Sequence, residues 1–382
     1  MEAIAIFPTM KLLSLHQLVL FTLLWMSIPF CFSQTSPLSK ESKISVLTCG
    51  TSNEIYALFG HTAIRVNDPT NGMDVVYNYG AFDFGTSNFA LKFVKGNLQY
   101  FAVANSYADF IANYNYEKRS VYEQELRFTA FQKEKLVALL NESLLLENRE
   151  YTYKFIDQNC TSMAVDVINK ALDQEVIVKK GDTVSTYRSI LYPYFNHHFY
   201  EQLGTSIIFG TKTDQAGTAI FLPFELKESL NQIQLNQQPI VKQNNILLEF
   251  EPETNSSWWN NPYTYLLFLG FILLLNKKWS DTLYLASMGT LGITFTILGL
   301  YSTHLELGNN YNTLVFNPAL IALLAFSKAK NKKGIQFTFW FNCIALVIYT
   351  ILLTNKAHLW IITPLIITNG VILVRRFWKK EV

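Results

Sequence analysis

This sequence lacks an excess of charge of either sign. Its 382 residues carry 31 Lys and Arg against 29 Asp and Glu, a formal net charge of +2. The basic face that nucleic acid calls for is missing, and that class of partner is set aside. Cysteine is scarce too, with four in the chain, at positions 31, 49, 160 and 343. Cys31 lies in an amino-terminal apolar run and Cys343 in a carboxy-terminal one. Cys49 and Cys160 are left in the water-soluble portion, enough for one disulfide there and no more. Ionisable groups are sparse in the apolar segments beyond residue 260, where Asn317 and Pro318 interrupt one run and His304 and Glu306 fall in a loop between runs. Transport sites near a bilayer midplane usually need more charge or paired broken helices, so an anchor is the plainer reading.

What is present divides into three parts. Residues 1–33 read as an export signal: Lys11, then the apolar run "LLSLHQLVLFTLLWMSIPFCFSQ", with cleavage expected after Ser33. An uncleaved anchor helix is the alternative, and both put the next part outside the cytoplasm. Residues 34–255 are polar enough to fold in water. Residues 256–382 hold five apolar segments, beginning "PYTYLLFLGFILLL" and ending "LWIITPLIITNGVILV". Two approach full spanning length, while the first and third are short and need flanking residues to complete a crossing. Lys277 and Lys278 follow the first segment, four lysines from Lys328 to Lys333 follow the third, and Arg375, Arg376, Lys379 and Lys380 follow the fifth. Alternate loops are therefore basic. The positive-inside rule then predicts a multi-pass membrane protein with an extracytoplasmic amino-terminal domain and a cytoplasmic tail. Trp258 and Trp259 suit the outer interface.

In the soluble part, "KISVLTC" reads as a strand, and "HTAIRV" and "VVYNYG" as a hairpin around a Pro and an Asn-Gly pair. Alternation puts Thr62, Ile64 and Val66 on one face and His61, Ala63 and Arg65 on the other. Counting across the turn sets Gly80 opposite His61, within a residue, which makes Asn78 a near neighbour. "SVYEQELRF" is a further strand. Thr129 is a plausible cap for the helix in "TAFQKEKLVALLNESLLLENRE". A second helix opens at Cys160, with Asn159 as its cap and Ala164, Ile168, Ala171 and Leu172 as its apolar stripe.

A thiol in the first turn of a helix meets free N–H groups and the positive end of the helix dipole, which favour the thiolate. The same N–H groups are available to an oxyanion. A histidine is then needed as base and acid, and the domain offers His61, His197 and His198, of which His61 has the better setting. Spacing alone leaves other readings open: a Cys49–Cys160 disulfide, an inert buried thiol, and a core histidine. The stretch 187–210, "YRSILYPYFNHHFYEQLGTSIIFG", is apolar enough for either a lipid-facing wall or ordinary core helices.

The stretches "ISVLTCGTSNEIYALFGHTAIRV", "VVYNYGAFDF" and "YKFIDQNCTSMAVDVINKAL", with later matches through "ELKESL", resemble the Lnb-type external domain of bacterial lipoprotein acyltransferases. The resemblance covers roughly residues 43–230. It implies a circularly permuted papain-like fold, related to NlpC-type peptidases and lecithin–retinol acyltransferases. The fold class is then an α+β external domain followed by an all-α bundle of about five transmembrane helices. By resemblance Cys160 is the nucleophile and His61 the base. The orienting third group does not carry over cleanly; the hairpin argument makes Asn78 the first choice and Asp83 the second, and Cys49 receives no role. No metal, nucleotide or other cofactor is implied. The implied reaction moves an ester-linked acyl chain of a lipoprotein's diacylglyceryl group to the same lipoprotein's terminal amine. A hydrolase on lipid esters or cell-wall peptides, and a non-catalytic membrane module with a Cys49–Cys160 bridge, stand as alternatives.

Overall fold

Alternation and turn chemistry set up the first elements. In the computed structural model, which describes residues 37–251 and 257–378, strand β1 is Lys43–Cys49, β2 is His61–Asp68 and β3 is Met73–Ala81. The expected export signal, residues 1–33, lies outside the described residues. Asp68 accepts hydrogen bonds from Ser39 and Asn71, and Gly72 takes the left-handed conformation that closes the hairpin. The register pairs Ala63 with Asn78; extending it by two residues puts His61 opposite Gly80, as counted from the sequence.

Strands β4 (Gln99–Ser106), β5 (Val121–Leu126), β6 (Glu150–Thr152) and β9 (Val241–Leu248) complete a seven-stranded antiparallel sheet of order β6-β4-β3-β2-β1-β5-β9. Strands β7 (Gln234–Leu235) and β8 (Gln238–Pro239) form a separate small hairpin. One face of the sheet buries Ile44, Val46, Ile64 and Val66 against three helices. These are α3 (Ala130–Glu142), α4 (Cys160–Leu172) and α7 (Pro223–Gln232). The side chains of Leu140, Ala164, Ile168 and Leu226 meet the strands there. The other face carries a smaller cluster of Leu47, Cys49, Ala63 and Val76 under Phe110 and Tyr114 of α2 (Tyr107–Tyr116). Helix α3 starts in a full capping box of Thr129 and Gln132. Helix α1 (Phe89–Lys95), in the β3–β4 connection, is seven residues long, about two turns between its caps.

Two helices follow α4: α5 (Tyr187–Leu191) and α6 (Phe199–Ile208). The membrane part has five, α8 (Pro262–Leu275), α9 (Lys278–Tyr301), α10 (Ala319–Lys328), α11 (Lys332–Leu353) and α12 (Leu359–Phe377). Among them α9, α11 and α12 are long and apolar enough to cross a membrane. At 1.5 Å per residue α8 and α10 reach about 21 Å and 15 Å, short of a ~30 Å hydrocarbon core. The third apolar segment is short as a helix because Pro318 cannot continue a helix begun upstream. Helix α10 starts after it, with the Asn317 side chain accepting the Ala319 N–H. The Asn317 side chain is thus spent on the backbone at the start of α10. At the basic end of the bundle Asp281 pairs with Arg375 and Arg376.

The stretch 187–210 is a seam and faces protein. Phe199, Leu203, Ile207 and Ile208 of α6 pack on the membrane-helix core. Asn310 and Asn312 donate to the carbonyls that end α6, at 2.9–3.2 Å. Arg188, fully buried, pairs with Asp214 at 2.8 Å, and Tyr311 donates to the same carboxylate at 2.5 Å. Asp214→Ala would leave that guanidinium buried without its counter-charge, a loss of about 3–5 kcal/mol. Thermal melting of the full chain in detergent should show it as a lowered midpoint. A shift no larger than that of the exposed control Glu41→Ala would show that the seam does not rest on this pair.

Candidate active site

One side-chain amide decides where Cys160 sits. Asn159 has extended backbone angles and caps α4: its Oδ1 accepts the N–H of Thr161 at 2.9 Å and of Ser162 at 3.1 Å. Its Nδ2 donates to the Phe155 carbonyl at 2.7 Å and the Phe221 carbonyl at 2.9 Å, so the helix start is tied to the chain on both sides. Thr161 and Thr62 then share a buried hydroxyl contact of 3.0 Å, which pins the first turn of α4 to β2 one residue past His61. Gly80 completes the approach. A Cβ placed there would stand 3.6 Å from the Cys160 Cβ on a backbone with φ +101°. Its left-handed conformation suits glycine and keeps β3 close to the thiol.

His61, Asn78 and Cys160 are brought together as the sequence reading expected. His61 Nε2 lies 3.1 Å from Asn78 Oδ1. Asn78 Nδ2 is engaged with the Val76 carbonyl and the Asn105 Oδ1, both at 3.2 Å, so its oxygen is the acceptor and His61 Nε2 the donor. That assignment leaves Nδ1 for the thiol. Burial alone would raise the Cys160 pKa. The His61 charge, the His61 hydrogen bond and further bonds from the Thr62 backbone and Thr161 outweigh it, and the net direction is down. Burial alone would lower the His61 pKa; the Cys160 charge and hydrogen bonds to Cys160 and Asn78 reverse it, and the net direction is up. Each partner thus favours the charged form of the other, a thiolate beside an imidazolium.

The remaining candidates fall elsewhere. Asp83, the second choice for the orienting group, is exposed and accepts the Gly85 N–H in its own loop at 2.7 Å. His198 meets Asn53 at 3.3 Å, and His197 lines a surface cleft with Phe195, Phe199 and Tyr263. Cys49 and Cys160 are both free thiols. Cys49 sits in the smaller cluster, bonded to Tyr114, and burial pushes its pKa up to about 12, whereas Cys160 packs against the larger cluster. The disulfide reading therefore has no support here.

The sequence reading missed Tyr151. Its hydroxyl is buried, makes no hydrogen bond among the described residues, and lies 3.8 Å from the Gly80 Cβ position that also meets Cys160. Burial holds its pKa far up, so it stays a proton donor. Strand β6 is three residues long and its pairing with β4 is non-local, so no pattern within "YTYKFIDQN" announces it. The Asn159 cap also takes the N–H groups of Thr161 and Ser162 that the sequence reading offered to an oxyanion.

Profiles of the Lnb N-terminal periplasmic domain and the Lnb transmembrane domain match residues 35–192 and 245–379. The chain belongs to the Lnb family. No curated protein and no solved structure matches it. His61, Asn78, Tyr151 and Cys160 all fall inside the Lnb periplasmic match, while α6 and α7 lie between the two matched regions.

A thiol with a lowered pKa is thiolate where an ordinary one, near 8.5, is protonated. Alkylation of Cys160 by iodoacetamide should therefore hold its rate as pH falls below ~8.5 and drop only at lower pH. In His61→Ala the inflection should move up. A Cys160 rate profile unchanged by that substitution would break the coupling between the two side chains. Cys49 should stay unlabelled until the chain is denatured.

Proposed function

We propose that this Lnb-family protein is a membrane-anchored Cys–His acyltransferase. It moves an ester-linked acyl chain from the diacylglyceryl group of a lipoprotein to that lipoprotein's own amino-terminal amine. The observation that carries the reading is the hydrogen-bonded His61–Asn78 pair beside a thiol of lowered pKa at a helix start. A histidine that precedes a helix-opening cysteine in the chain, against an antiparallel sheet, supports the permuted papain-like description. The basic end of the bundle carries Lys277, Lys278, Lys328, Arg375 and Arg376, and its other end meets the soluble domain. That distribution supports five passes in a bacterial inner membrane, α8 and α10 being completed by their flanking residues, with the domain outside.

The chemistry follows from the pair. The Cys160 thiolate attacks the ester carbonyl, forming a C–S bond and a tetrahedral oxyanion. Collapse breaks the C–O bond to glycerol, and the His61 imidazolium gives its proton to the departing oxygen. A thioester and a lyso-glyceryl lipoprotein result. The neutral α-amine then attacks the thioester, His61 takes the amine proton, and the thiolate leaves as the amide forms. Total mass is unchanged. The Tyr151 hydroxyl and the Cys160 N–H are the donors assigned to the oxyanion, the first-turn groups beyond them being held by Asn159.

Mass spectrometry of a diacylated lipoprotein incubated with the membrane-embedded protein tests this. An N-acylated lyso product of unchanged mass, lost in Cys160→Ala, is expected. Release of a free fatty acid with loss of one acyl mass would make the protein a hydrolase and overturn the transfer step. Tyr151→Phe should slow the first, thioester-forming step about 10²-fold while leaving the alkylation rate of Cys160 unchanged. A parallel fall in both would give Tyr151 a structural role instead.

A further inference from the structure

Helix α1, Phe89–Lys95, is too short to persist by itself in water. Its end is closed first by its own chain, the Gly96 and Asn97 N–H groups meeting the Lys92 and Phe93 carbonyls. The carbonyls that follow, orphaned as at any helix end, are met from outside the soluble domain, Lys154 sharing that of Gly96. Ser302 Oγ donates to the Val94 carbonyl at 2.6 Å, the Thr303 N–H to the Lys95 carbonyl at 2.8 Å, and Thr303 Oγ1 to the Gly96 carbonyl at 2.9 Å. His304 Nε2 reaches the Phe93 carbonyl at 2.9 Å. These donors are the residues immediately after Tyr301, the last of the spanning helix α9. Gly96 permits the approach: a Cβ there would come within 2.8 Å of Thr303 Oγ1 and 2.9 Å of His304, with φ at +76°. The outer end of a membrane span thus fixes the depth of α1.

At that depth α1 turns apolar surface outward. Leu91 is 66 % exposed, Phe93 44 % and the adjoining Phe84 70 %, with Lys92 exposed beside them and Lys95 Nζ 5.4 Å above the Tyr301 ring. Aromatic rings and lysines at the end of a span are the composition of the bilayer interface, where the rings enter the headgroup region and lysine stems reach back to water. Trp258, Trp259 and Tyr263, exposed at the start of α8, lie at the same end of the bundle. The connection inward is short. Phe82 meets Phe84 at 4.8 Å and Phe89 at 5.9 Å between ring centroids, and two residues before Phe82 the chain passes Gly80, which lies against Cys160.

We propose that α1 and the Phe84 loop insert into the outer leaflet, and that the acyl-bearing lipid reaches Cys160 from the leaflet along the Gly80–Phe89 segment. The insertion stands on geometry and composition alone; the path to Cys160 rests on the acyltransferase reading above. The test uses the full chain in phosphatidylcholine–phosphatidylglycerol vesicles. For the insertion, Leu91→Cys in a Cys31→Ala, Cys160→Ala, Cys343→Ala background carries an environment-sensitive fluorophore. Its emission should shift to the blue and be quenched at least two-fold by lipids bearing a nitroxide near the headgroup. Emission as in water, indifferent to the quencher, would overturn the insertion.

For the path, the double variant Leu91→Glu, Phe93→Glu should convert bilayer-borne diacylated lipoprotein at least ten-fold more slowly. Its Cys160 should still react with iodoacetamide within two-fold of the parent rate. Unchanged conversion would overturn the path and leave the insertion to the fluorescence result. A parent chain that converts no lipoprotein would remove the enzymatic reading together with the path, while the quenching result would still decide whether α1 is buried in lipid.

Discussion

The amide of Asn159 does two jobs that cannot be separated. Its oxygen ends the exposure of the α4 first turn, and its nitrogen ties that turn to Phe155 on one side and Phe221 on the other. Cys160 is the residue directly after it. A nucleophile on a loop would sample positions relative to His61; here the helix start is clamped at four points, and the Thr161–Thr62 contact removes the remaining freedom against β2. The pKa coupling of His61 and Cys160 depends on that clamp, because charge stabilisation of a partly desolvated pair falls off steeply with separation. The cost is that a capped helix end offers fewer free N–H groups. In the proposed reaction the oxyanion then draws on a side chain beside the Cys160 N–H, and the Tyr151 hydroxyl, without a hydrogen bond among the described residues, is the one at hand.

Local signals in the sequence carried most of this. The period-two alternation around His61 and the Pro and Asn-Gly turn are enough to count the hairpin, and the count brings Asn78 to His61. Asn159 and Thr129 read as caps because short polar side chains compete for backbone N–H groups at helix starts. What was not legible is non-local. The pairing of β9 with β5 joins residues more than a hundred positions apart, and β6 is too short for any pattern. The stretch 187–210 has the composition of a lipid-facing wall because the surface it meets is itself apolar. Composition cannot separate contact with lipid from contact with membrane helices, and only the buried Arg188–Asp214 pair and the asparagine bonds mark it as a protein seam. In the membrane part the interruption at Asn317 and Pro318 was legible, and helix α10 begins directly after it.

Two contacts join the soluble domain to the membrane helices, and they differ in kind. The α6 seam is apolar at its centre and saturated with hydrogen bonds at its rim, with Asn312 alone meeting three carbonyls of the α6 end. The α1 contact is almost wholly polar, being built from helix-end carbonyls and the residues after Tyr301. The first has the character of a permanent interface. The second adds hydrogen bonds from the end of α9 to the carbonyls of Val94, Lys95 and Gly96, beyond those the Gly96 and Asn97 N–H groups already make to α1. With α1 inserted as proposed, the site side of the domain is referenced to the bilayer at two separate points.

For the acyltransferase reaction proposed above, that double reference bears on the choice of acceptor, which motifs around the cysteine do not encode. A thioester formed at Cys160 is open to water as well as to an amine, and the partition between them is set by exclusion of water and by the standing concentration of amine near the sulfur. An amine on the same lipoprotein is held by the remaining acyl chain of its own substrate at the level of the headgroups. A domain fixed at that level keeps the thioester within the amine's reach and against an apolar surface, conditions that favour transfer over hydrolysis. In a domain free to lift from the membrane the same dyad would lose both advantages. In the proposed reaction the Cys160–His61 pair would serve hydrolysis as readily as transfer, and the distinction rests on how the domain is seated on its helices.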